Sequence, residues 1–142
     1  MTIEQAIRER LLANATLTAL VSTKVYAIEA PQDSDPAYVI MATSDVYQFE
    51  ALASRPNLYS AIFRFDCYGG GAERYTSAKA VAAAVRGCLF GLTNNSQLGT
   101  SGLDLAGVED LRGEDNLEPP LHADGAGIDY VGVTVRIHWR TH

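Results

Sequence analysis

From Val131 to Trp139 the chain places Val131, Val133, Val135, Ile137 and Trp139 on one side of an extended backbone, and Thr134, Arg136, His138 and Arg140 on the other. Side chains alternate across a strand with a period of two, so this stretch fits a sheet in one register only. A slip by one residue would turn five large apolar groups into water. The segment therefore demands an apolar layer on one side of a sheet, and the rest of the chain has to supply it.

Tyr59 to Tyr68 shows the same alternation, with Phe63, Phe65 and Cys67 on one face and Arg64, Asp66 and Tyr68 on the other. Val25-Tyr26-Ala27-Ile28 and Tyr38-Val39-Ile40-Met41 are short runs of strand formers separated by the breaker segment from Pro31 to Pro36. Leu103-Asp104-Leu105 and Val108 open a further strand, after a polar loop from Thr93 to Gly102. The layer that covers these strands comes from two helical segments. Thr2 with Gln5 three residues on is a capping box, after which Ile3, Ile7 and Leu11 recur every fourth residue with Ala6 and Ala15 beside them. Asn14 ends or bends that helix, and Thr16 to Val21 is a further short turn that buries Leu17 and Leu20. After Gly69-Gly70-Gly71, the segment from Ala72 to Leu89 holds Tyr75, Ala78, Ala82, Val85 and Leu89 at helical spacing, with Gly91 as the stop. The run of alanines from Ala80 to Ala84 allows close backbone approach to a sheet or to another subunit's helix.

The expected fold is α+β: an antiparallel β-sheet with two main α-helices packed on one face, as a single domain over residues 1–142. The other face, bearing Arg64, Arg136 and Arg140, is left to water or a partner. Val46 to Asn57 has no clean period and carries Pro56, so it reads as a long excursion between strands that exposes Tyr47, Phe49 and Leu52. Glu109 to Glu118 reads as an acidic solvated loop, and Pro119-Pro120 forbids regular structure after it.

The chemistry available to this chain is narrow. Eleven Lys and Arg against 17 Asp and Glu give a formal charge of −6, which argues against a phosphate backbone or anionic lipid as main partner. No run of apolar residues approaches the ~20 needed to cross a bilayer, and the first residues lack the order of a signal peptide, so cytoplasmic synthesis is expected. Cys67 and Cys88 belong to no metal or redox motif and read as buried thiols. Gly69-Gly70-Gly71 lacks the Gly-Lys-Ser/Thr or GxGxxG context of a phosphate cradle. His122, Asp124, Asp129 and His138 are close enough in sequence to suggest a metal site or general base, but show no ligand spacing. A Cys67–His138 pair is disfavoured because alternation turns Cys67 toward Phe63 and Phe65. Arg64, Arg136 and Arg140 as a nucleic-acid stripe lack interleaved aromatics, and ion pairs to Asp66 or another subunit explain them as well. No catalytic residue, cofactor or metal is therefore expected. A small hydrolase or isomerase using His122, Asp124 or His138, and an adaptor that binds one protein through a sheet edge, stand as the alternatives from other classes.

The order of elements resembles a known family. The helix leading into Ala15-Thr16-Leu17-Thr18-Ala19-Leu20-Val21, then Lys24-Val25-Tyr26, a Pro/Gln loop and Pro36-Ala37-Tyr38-Val39 are similar to the tail completion and tail terminator proteins of long-tailed bacteriophages. The strand Phe63 to Tyr68, the alanine-rich helix and the closing strand Val131 to Trp139 extend the resemblance over most of the chain. The resemblance implies a virion subunit forming a homo-hexameric ring at the head-proximal end of a tail tube, where it stops tube growth and joins the tail to the neck. Gene transfer agents use similar parts. Its partners would be copies of itself, the tail tube protein and the head-tail connector, with no membrane and no sequence-specific nucleic acid, although DNA could pass through the ring. Tyr47, Phe49, Leu52 and Leu58 are the expected subunit or tube contacts, since exposed apolar groups gain most from burial.

Overall fold

A computed structural model of the chain describes residues 2–28, 37–44, 46–48, 58–70, 74–91, 103–111 and 130–141. The elements are α1 (Ile3–Leu12), α2 (Ala15–Val21), β1 (Val25–Ala27), β2 (Tyr38–Thr43), β3 (Tyr47–Gln48), β4 (Leu58–Tyr68), α3 (Arg74–Phe90), β5 (Leu103–Asp110) and β6 (Tyr130–Thr141). The strands form a sheet in the order β1-β2-β4-β6-β5, with β3 also paired to β4. This is the α+β fold expected.

The two alternating strands lie side by side. β4 and β6 run antiparallel from Leu58 opposite Arg140 to Tyr68 opposite Tyr130. The register sets Ala61, Phe63, Phe65 and Cys67 against Ile137, Val135, Val133 and Val131, and all eight are buried. Val39 and Met41 of β2, which face Cys67 and Phe65, widen the same apolar surface. α3 packs on β4 and β6 and contributes Ala78, Val81, Ala82, Val85 and Leu89 to the cluster, while α1 contributes Ile3, Ala6, Ile7 and Leu11. Burying one such Phe or Leu stabilises by roughly 1.5–3 kcal/mol, which makes this layer the main source of stability.

The local signals at the first helices act as read. Thr2 Oγ1 accepts from the Gln5 N–H at 3.2 Å and Gln5 Oε1 accepts from the Thr2 N–H at 2.9 Å. Asn14 does more than end α1: its Oδ1 accepts from the Leu17 N–H at 2.9 Å and so opens a second helix, α2, where a turn was expected. Restarting the helix resets its phase. Leu17 and Val21 are buried, Ala15 is exposed, and Leu20 is 41% exposed, contrary to the expectation that Leu20 is buried. Arg8 Nε donates to the Val25 carbonyl at 2.8 Å and ties α1 to the first strand.

Three other features depart from the sequence reading. The sheet is antiparallel except at one edge, where β1 runs parallel to β2. A strand of three residues spans only about 10 Å, and ten residues separate Ala27 from Tyr38. The excursion expected from Val46 starts as a strand: Tyr47 pairs with Ser60 and Gln48 with Tyr59, on the same side of β4 as β2. One extra residue between Thr43 and Tyr47 shifts the register as a bulge does, and that extra residue hides the period-two pattern. Glu109 and Asp110, expected in a loop, are the end of β5, where they pair with Arg136 and Val135.

Ile28, just past β1, has φ 70° and is 82% exposed, an uncommon conformation for a β-branched residue. Strain of this kind costs about 1–3 kcal/mol, and the exposed side chain recovers little of it through burial. Ile28→Gly should hold or raise stability by about 1 kcal/mol, whereas Phe65→Ala should lower it by about 3–5 kcal/mol, both read from urea unfolding midpoints.

Candidate functional site

Every described helix packs over the face of the sheet that carries Phe63, Phe65 and Val133, so the opposite face is the first place to look for function. Its residues are the polar half of each alternation. At one end, Tyr38, Tyr68 and Tyr130 stand in one cross-strand row. The Tyr38 and Tyr68 rings stack with centroids 4.7 Å apart, Tyr130 lies 5.2 Å from Tyr68, and Tyr26 extends the row 6.0 Å beyond Tyr38. Four strands thus contribute to one aromatic strip.

Behind this strip the charges cancel in pairs. Arg64 Nε donates to Asp66 Oδ1 at 2.8 Å, and Arg136 Nη1 donates to Glu109 Oε2 at 3.2 Å. His138 Nε2 sits 3.9 Å from the same Glu109 oxygen, and Arg140 faces Asp104 in the register. Each exposed pair is worth about 1 kcal/mol or less. Their effect is to neutralise the arginine stripe, as the ion-pair reading expected.

The candidates for chemistry are scattered. Cys67 is buried on the helical side, with Sγ 3.8 Å from the Phe65 carbonyl, while His138 is on the open face; a strand's alternation separates them as foreseen. Burial pushes the Cys67 thiol well above its ordinary range, with the Asp66 carboxylate adding to the effect, and burial raises the Cys88 thiol as well. Both cysteines are free. In the glycine turn, the Gly70 N–H donates to Ser77 Oγ at 3.2 Å, so an amide that a phosphate would need already has a partner. Among the described residues no three His, Cys, Asp or Glu side chains gather as a metal site, and no helix is long and apolar enough to cross a membrane. His122, Asp124, Asp129 and His142 lie outside the described residues.

Of the four expected contact residues, Tyr47 forms β3 and Leu58 opens β4 half-buried, at the end of the sheet away from the tyrosine row. Phe49 and Leu52 lie outside the described residues. Sequence reasoning missed two features. The first is the tyrosine row, which stands at one end of the open face and is not interleaved with Arg64, Arg136 and Arg140: Tyr68 and Tyr130 end the polar alternations of β4 and β6, a signal visible only once the strands are paired. The second is a groove of about 570 Å³ between α2 and α3, walled by Thr16 and Leu20 and floored by Ala80, Ala83 and Gly87.

A mixed sheet with one helical layer defines an α+β class of fold, and two solved structures share it. A chain from the virion of a native gene transfer agent (GTA) particle superposes with a TM-score of 0.71 at 25% identity, over 97% of this chain and 94% of that one. The bacteriophage SPP1 gp17 protein shares the fold with a TM-score of 0.50 at 18% identity, over 94% of this chain and 86% of that one. No protein-family model matches the chain, and neither does any curated protein sequence.

The open face also sets a pH limit. Burial, followed by the charges of Asp66 and neighbouring tyrosines, pushes Tyr68 up to about 12 from an ordinary 10.0, and Cys67 is raised from 9.0. The unfolded chain then loses these protons first, so their contribution to stability is complete below about pH 9 and declines as pH rises toward 12. Urea midpoints at pH 7, 9, 10 and 11 should be level at first and then fall, and Tyr68→Phe should flatten the fall between pH 10 and 11.

Proposed function

We propose that the chain is a structural protein of a phage or phage-like particle, a tail terminator or completion subunit. In this reading it forms a ring at the head-proximal end of the tail tube, stops tube growth and joins the tail to the neck. The observation that carries the reading is the likeness to a chain of a gene transfer agent virion along nearly the whole length of both chains. The likeness to a bacteriophage protein adds the same fold from a second source. A role in assembly without catalysis fits a site whose thiols are buried and whose arginines are paired within the chain.

The copies of this subunit, the tube protein and the neck connector are its partners in this proposal, and the particle is its location. Tyr47, Phe49, Leu52 and Leu58 make the subunit or tube contacts. Support for that comes from the β3–β4 pairing, which puts Tyr47 and Leu58 at the end of the sheet opposite the tyrosine row. Light scattering over a concentration series should give a mass near six copies of 15.3 kDa, ring-shaped in negative stain. Tyr47→Asp with Phe49→Asp should abolish the ring or its recruitment to tail tubes while circular dichroism stays unchanged. A monomer that added tubes do not recruit would refute the role.

A further inference from the structure

The two sides of the sheet end differently. On the β1 side, Val25 is closed off: its carbonyl accepts from Arg8 Nε at 2.8 Å, and its N–H donates to the Thr23 carbonyl at 2.9 Å. Ile28, at φ 70°, then takes the chain out of the strand. Such devices keep a strand edge from pairing with another chain. But β1 covers only residues 39–41 of β2, and further along the sheet β3 is the last strand on that side. There the sheet is four strands wide. One cross-strand row runs Tyr47, Ser60, His138, Gly107, from β3 through β4 and β6 to β5.

Both ends of that row stop at an edge whose backbone groups turn outward. In an antiparallel ladder successive residues direct their N–H and C=O groups to opposite sides of the strand. The Leu111 N–H donates to the Thr134 carbonyl, so Glu109 and Gly107 also turn their groups to β6, and those of Val108 turn away from the sheet. Before the register shift Asp104 faces Arg140 in the same phase, which turns Leu103 and Leu105 outward. On the other side, the Ser44 N–H donates to the Ile62 carbonyl, and in that phase Ser60 turns its groups to Tyr47. The groups of Val46 and Gln48 therefore point away from β4. Among the described residues no strand lies beyond β5 or β3. Val46 is 47% exposed, an apolar side chain at the edge itself. A row of outward N–H and C=O groups is completed by another extended backbone.

We propose that subunits join edge to edge, the outer side of β5 in one copy pairing antiparallel with residues 46–48 of the next, Val108 opposite Val46. The inference rests on the assembly reading above and deepens it by naming the contact. Charge selects this pairing over β5 against β5, which in full overlap sets Asp104 against Glu109, like charges across a strand pair. Val46, Tyr47 and Gln48 bring no charge to the edge. Direction agrees as well. Three antiparallel steps separate β3 from β5, so a copy shifted sideways without being turned over presents β3 antiparallel to β5 and keeps its helices on the same side of the joined sheet. Val108 belongs to the helical side of its alternation, as Ile137 opposite it does, and Val46 holds the same phase beside Tyr47. The edges differ, so the contact is head-to-tail and repeats until a ring closes. Tyr47, already placed at the subunit contact, lies within it.

Two variants test the contact by mass in solution. Val108→Pro removes an outward N–H while the bonds of Gly107 and Glu109 to β6 stay in place, as proline on a strand edge allows. With circular dichroism unchanged, it should stay at 15.3 kDa under conditions in which wild type assembles. The second variant does not depend on the proline. With Val46→Cys and Val108→Cys in one chain, mild oxidation should link successive copies into a ladder of covalent multimers, because facing Cα atoms of a hydrogen-bonded pair lie about 5.5 Å apart, within disulfide reach. Val108→Cys alone should give nothing beyond a linked pair, since Cys67 and Cys88 are buried. A folded Val108→Pro variant that assembles like wild type, or an assembled double-cysteine variant without bonds between copies, overturns the edge contact and leaves the assembly reading standing. Wild type that stays at 15.3 kDa also overturns the contact, and recruitment by added tail tubes then judges the assembly reading alone.

Discussion

The ladder between β4 and β6 is the constraint on which the other elements depend. It runs eleven residues without a break, from Leu58 opposite Arg140 to Tyr68 opposite Tyr130, and joins strands separated by more than sixty positions in sequence. Its apolar half offers Phe63, Phe65, Val133, Val135 and Ile137 to the helices, all with no exposed surface. Once this ladder is in register, α3 has its seat on β4 and β6, and β2 gains an edge on which Val39 and Met41 fall into the same layer. Period two makes the choice severe, since a slip by one residue would exchange phenylalanine for arginine throughout the core.

The same register builds the open face. Because Phe65 faces inward, Arg64, Asp66 and Tyr68 face outward, and because Val135 faces inward, Arg136 meets Glu109 across the β5–β6 pair. The face is consequently neutral by pairing rather than by lack of charge. A tyrosine row at one end, with Tyr38 and Tyr68 stacked at 4.7 Å, puts the aromatic residues of four separate strands in contact. Neither feature requires a residue chosen for catalysis, and the buried thiol of Cys67 serves the core.

Much of this was legible from residues whose signal is local. The capping box at Thr2, the alternations of β4 and β6, the Gly91 stop and the burial of both cysteines follow from spacing alone. What spacing does not carry is phase across a break. Asn14 restarts the helix and so exposes Leu20, and one extra residue before Tyr47 conceals a strand that continues the edge of β2. Glu109 and Asp110 looked like loop residues because their acidity masks a strand whose charges are met by Arg136 on its neighbour. The contact residues were harder still: Tyr47 and Leu58 have a place in the sheet, while the tyrosine row and the helical groove depend on which strands and helices become neighbours.

Charge and topology together separate stability from assembly. The sheet and helices keep their ionic groups nearly balanced and derive stability from one apolar layer, whereas most of the acidity lies in the segments between them. The small residues on α3 follow the same division. Ala78 and Ala82 are buried toward the sheet, where they allow close packing, but Ala80, Ala83 and Gly87 point outward and contribute nothing to that layer. Small residues on the outer face leave room for another backbone to approach. Packing on the sheet accounts for the inner face of α3, and the strong helix propensity of alanine suits its outer one.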